Sequence, residues 1–140
     1  MSESAPPPPE KLRLLAFDAG DLAVLSAHLE NAEISRAGMA FLPRERRFAF
    51  VTSRPGADIF ETGVHFDHVL KASHIGFDTC LPEDTLQLLS ISFSADDAPA
   101  GHVLLVFSCG NVIRLDVECL EASLRDMDMA QTGEADAAVA

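Results

Sequence analysis

The most constraining stretch runs from Val103 to Cys119. Five consecutive apolar residues, Val103 to Phe107, reach a polar Ser-Cys-Gly-Asn break, after which Ile113, Leu115, Val117 and Cys119 alternate with Arg114, Asp116 and Glu118. Successive side chains of a strand point to opposite faces, so the second half is a strand wet on one side. The first half, apolar at every position, is expected to be the most buried strand of a sheet. The short break at Cys109-Gly110-Asn111 closes the two into a hairpin. A chain that must bury such a hairpin is committed to an antiparallel sheet with something packed against it.

The rest of the chain is consistent with that start. KLRLLAF, residues 11–17, reads as a short strand, and Asp18 offers a carboxylate to the open amides of a helix beginning near Ala19. Leu22, Leu25 and Leu29 have the three-to-four spacing of a helix lying on a sheet. Residues 33–53 break into short apolar stretches around Gly38 and Pro43-Arg44-Glu45-Arg46, read as antiparallel strands with a solvent-facing arginine hairpin. Residues 54–61 form a surface loop with Phe60 tucked back. Residues 62–75 read as one extended segment, with a bulge where the apolar parity slips. DTCLPED, residues 78–84, is a loop, and Leu86 to Ser94 is a strand with Leu89, Ile91 and Phe93 on one face. Leu120, Leu124 and Met127 suggest a short closing helix. The fold class is therefore α+β, a mainly antiparallel curved sheet or partly closed barrel of pleckstrin-homology-like type. It has one N-terminal amphipathic helix and a possible short C-terminal helix.

With 140 residues of which 48% are hydrophobic, one domain over residues 11–128 is expected, large enough to need neither disulfide nor metal. Four consecutive prolines mark residues 1–10 as a disordered Pro-rich tail, and the small acidic residues 129–140 as another; its end, EADAAVA, resembles tails read by ATP-dependent proteases. Cys80, Cys109 and Cys119 are odd in number and not spaced as CxxC, which argues for reduced thiols. No apolar run is long enough to cross a bilayer and no leader pattern is present, so a cytoplasmic protein is expected.

A net charge of −12 opposes binding to nucleic acid or an anionic membrane, and neither is expected as a partner. The charge is uneven. Arg36, Arg44, Arg46, Arg47 and Arg54 supply half of the ten Lys and Arg within one short stretch. This makes Arg44, Arg46 and Arg47 the candidate residues for gripping an acidic protein partner.

Catalytic chemistry is harder to find. The chain carries no GxSxG, Walker A, HExxH, GxGxxG or EF-hand pattern. His65, His68 and His74 near Asp67 invite a metal site, but residues three apart on a strand face opposite sides. Cys109 could be an exposed nucleophile, yet its nearest base, His102, sits at the other end of the hairpin, roughly 17 to 20 Å away. Asp96-Asp97 and Glu83-Asp84 read as solvated turn acids. The sequence therefore points to a non-enzymatic binding or adaptor module without a cofactor. The alternative is a small metal-dependent or thiol enzyme using His65, His68, His74 or Cys109.

Four stretches, LRLLAFDAGDLAVLSAHLENAEI, AFLPRERRFAFV, TGVHFDHVL and GHVLLVFSCGNVIRLDVECLEASLRDM, together resemble an alphaproteobacterial family, domain-of-unknown-function family 2948. The likeness covers about Leu12 to about Met127. It implies a bacterial cytoplasmic protein and brings no catalytic residue or cofactor with it.

Overall fold

The alternation around the Cys109 turn folds into a β-hairpin that anchors one of two five-stranded antiparallel sheets. The computed structural model describes residues 10–76 and 84–128. In chain order the elements are β1 (Arg13–Ala16), α1 (Ala19–Leu29), β2 (Glu33–Ser35), β3 (Met39–Leu42), β4 (Arg47–Thr52), β5 (Phe60–Phe66), β6 (Val69–Ile75), β7 (Thr85–Asp97), β8 (Ala100–Phe107), β9 (Val112–Val117) and β10 (Ala122–Asp128). The first sheet has the order β1-β10-β5-β4-β3 and the second β2-β7-β8-β9-β6. Together they form a mostly antiparallel structure, one part curled as a half-barrel, with a single helix among the described residues.

Curling requires the chain to change sheets, and it does so at two adjacent corners. β5 hands over to β6 through Asp67-His68, and β9 hands over to β10 through residues 118–121. The corners bond to each other: the Asp67 N–H donates to the Glu121 carbonyl at 2.9 Å, and the Glu118 N–H to the His68 carbonyl at 3.0 Å. His68 takes a left-handed backbone, φ 62°, to make the turn. The expected single segment over residues 62–75 is thus two strands in different sheets. What looked like a bulge is a corner.

α1 begins as expected, with the Asp18 carboxylate accepting from the Asp21 N–H at 2.7 Å. Asp21 in turn accepts from the Phe17 N–H, so the helix entry is tied from both sides. Leu22, Leu25 and Leu29 are fully buried where the helix packs on β7 and β1. Beyond β2, the edge of β7 is covered by the helix, and the Ile91 N–H donates to Ser26 Oγ at 2.9 Å.

Four readings need correction. β8 is not buried throughout: Val103, Leu105 and Phe107 face the core, while Leu104 and Val106 are half-exposed on a face that no described element covers completely. In β7 the register shifts between Leu88 and Ser90, which turns Leu89 outward and puts Leu88 in the core with Ile91. The stretch after Cys119 is strand β10 rather than a closing helix. Leu120, Ala122, Leu124 and Asp126 are buried with strict alternation, and the polar Asp126 disguised that period. Cys119, past the end of β9, is half-buried rather than core. Residues 1–9, 77–83 and 129–140 lie outside the described residues, and with them Cys80, Glu83, the proline run and the carboxy-terminal EADAAVA.

Candidate functional site

Arg44 and its neighbours sit where the sequence placed them, on the turn between β3 and β4. The turn closes with the Arg46 N–H donating to the Pro43 carbonyl at 3.2 Å and a left-handed Arg46, φ 52°. Leu42 through Arg46 are exposed. Arg46 Nη1 reaches Glu118 at 3.0 Å and Arg47 Nε reaches Asp67 at 2.8 Å, so the hairpin is guyed to both corners described above. Its backbone is tied as well, the Val69 N–H donating to the Arg46 carbonyl at 2.9 Å. Arg44 makes no ion pair with any described residue.

Arg54, counted with this basic stretch, goes elsewhere. It turns into the molecule, 8% exposed, and its Nε and Nη2 clamp the Asp126 carboxylate, Nη2 at 2.6 Å. Thr62 Oγ1 donates to the same carboxylate at 2.7 Å and the Leu12 N–H at 2.9 Å. Burial pushes the Asp126 carboxyl up. The Arg54, Leu12 and Thr62 hydrogen bonds and the Arg54 charge outweigh it and hold the group below its ordinary value. This network fastens the amino-terminal segment, β5 and β10 together. Arg54, Thr62 and Asp126 are all buried.

The three histidines are not gathered. His65 lies on β5, its Nδ1 3.4 Å from the Asp67 carboxylate but without the alignment of a hydrogen bond. His68 is at the corner, with Nε2 2.8 Å from Glu121. His74 is near the far end of β6. Among the described residues no group of three or more His, Cys, Asp or Glu is placed to hold a metal ion. Cys109 is exposed in the β8–β9 turn, while His102, at the other end of β8, bonds Asp96 at 3.0 Å.

Sequence reasoning did not anticipate the space beside the hairpin. β3 is an edge strand of the first sheet and β6 an edge strand of the second. Between them lies a cleft of about 150 Å³ lined by Met39, Ala40, Phe41, Phe48 and Ile113, with Arg36 and His74 at its walls. Consecutive strand residues point to opposite faces, so three in a row on one cleft mean that it runs along the edge of β3. A larger concavity, about 630 Å³, opens near the Glu33–Ser53 bridge. Among the described residues, Glu33, Asp58 and Glu61 give it an acidic lining without a Lys or Arg.

A family model described as protein of unknown function (DUF2948) matches residues 12–138. The chain belongs to that family. No curated protein and no solved structure matches it. In this DUF2948 protein no described helix is long and apolar enough to cross a membrane.

Proposed function

We propose that this DUF2948 protein is a non-enzymatic binding module whose β3–β4 hairpin docks an acidic protein partner. One observation carries the reading: Arg44 stands exposed at the turn without an ion pair among the described residues, beside Arg46, held by an exposed pair, and Arg47, held by a partly buried one. An exposed pair contributes about 0 to 1 kcal/mol, so exchanging Glu118 for a partner carboxylate costs little. Corner contacts fix the turn before a partner arrives, which reduces the ordering cost of association. In a chain of net charge −12, a local basic surface also sets orientation, because the remainder repels an acidic partner.

The catalytic alternative has no supporting geometry, since the described residues gather neither the three histidines nor Cys109 with His102.

The test is affinity recovery from a lysate of the cells that make the protein, quantified by mass spectrometry, with an Arg44→Glu, Arg46→Glu, Arg47→Glu variant alongside. The expected result is a partner retained by the parent protein and lost with the folded variant. Equal recovery by both removes the hairpin from the interaction.

A further inference from the structure

Among the described residues, β3 is paired along one edge alone. Along an antiparallel pair, half of a strand's N–H and C=O groups face its partner and half face away. β3 is paired with β4 on one side, and no described strand pairs with it on the other. Proteins usually cover, charge or shorten such an edge, because it is a template for another strand. Here it is short, and among the described residues it borders an apolar cleft instead of a covering element.

We propose that this cleft receives an extended segment of the acidic partner, which adds as a strand to β3 and places one apolar side chain between β3 and β6. The inference rests on the binding reading above and names the form of its partner. About 150 Å³ suits one branched or aromatic side chain, and an apolar cavity of that size accommodates benzene. The surroundings specify the neighbours of that side chain. Arg36 and His74, each already engaged by an interaction of its own, line the cleft, and the exposed Arg44, without an ion pair among the described residues, follows the other end of β3. A segment alternating acidic and apolar residues meets both requirements at once. Backbone pairing supplies affinity, and the cleft with Arg44 beyond one end of β3 supplies specificity.

The experiment uses the full 140-residue chain and a terminally blocked peptide alternating Glu with Leu. Its control is the same peptide with proline in place of each Leu, which keeps the charge but removes strand pairing. Saturable binding of the first peptide, slowed amide exchange within residues 39–42 and at least about tenfold weaker binding of the control are expected. Ala40→Glu puts a like charge on the exposed wall of the cleft and is expected to weaken the peptide by at least about tenfold. Arg44→Glu, at an exposed tip remote from the core, is the second variant and should weaken it in the same direction. Equal binding of the proline control or of single-stranded RNA means charge attraction alone and overturns the proposal. So does the absence of saturable binding. If Ala40→Glu still recovers the partner that the triple arginine variant loses, strand addition fails while the hairpin reading stands. If the triple variant also retains the partner, the hairpin reading falls with it.

Discussion

Asp126 shows how much one side chain can organise. Its carboxylate is fully buried and bonded to Arg54, Thr62 and the Leu12 amide, and the Asp126 N–H returns a bond to the Leu12 carbonyl at 3.0 Å. Removing one partner of a buried pair strands the other charge, so Asp126→Ala should cost about 3 to 5 kcal/mol in urea unfolding at neutral pH. The pH dependence follows from the lowered folded value. The unfolded group titrates near about 3.9. Its stabilising contribution is complete above that value and disappears as pH falls through the lower folded value. The difference in stability between parent and variant should therefore shrink on the acid side of about pH 4, and a difference that persists unchanged would contradict the assignment. Gly101 is a second position where one atom matters. A Cβ there would lie 2.8 Å from two ring carbons of Phe93 and closer still to the Ser94 carbonyl oxygen. Gly101→Val should lower stability by about 1 to 3 kcal/mol through overpacking, seen as a reduced midpoint in thermal unfolding.

At the scale of elements, α1 shows sequence and packing in agreement. The Asp18 cap and the Leu22, Leu25, Leu29 stripe were legible because both are local: a cap acts within one turn and a helix face repeats within four residues. The role of Ser26 was not legible, because its partner, Ile91, is 65 residues away. Ser26→Ala should leave the Ile91 amide unsatisfied, cost about 1 to 3 kcal/mol and speed exchange at that amide. Unchanged exchange would mean that water or another acceptor replaces the hydroxyl. Leu25→Ala, at a fully buried position, should cost about 2 to 5 kcal/mol by the same unfolding measurement. β10 is the opposite case. Leu120 and Leu124 are four apart, a separation compatible with both a helix and alternate positions of a strand. Pairing with β1 on one side and β5 on the other decides for the strand. Arg54 was misplaced for a related reason, since an arginine in a basic run says nothing about the buried carboxylate that will meet it.

For the whole molecule the deciding quantities are charge distribution and the closure of the sheets. Replacing Arg44, Arg46 and Arg47 by Glu removes three positive and adds three negative charges, taking −12 to −18. A carboxylate at position 46 beside Glu118 should cost no more than about 1 kcal/mol, because that pair is exposed, and one at position 47 should cost more, because Asp67 is only 19% exposed. The variant should therefore remain folded by circular dichroism while losing its partner. A variant that unfolds instead would make the hairpin a structural clasp.

By itself the sequence determined what depends on neighbours along the chain: the capped helix, the hairpin around Cys109, the solvent-facing arginine turn and the antiparallel character of the whole. It also carried enough of the family pattern to place the chain in DUF2948. Tertiary structure alone decided which strands share a sheet, that Asp67-His68 is a corner, that Arg54 is spent inside, and that β3 and β6 face each other across a cleft. The physical reason is range. Periodicity and capping act over a few residues, whereas sheet order and the cleft depend on contacts among segments far apart in the chain. Their register is set by burying one face of every strand at the same time.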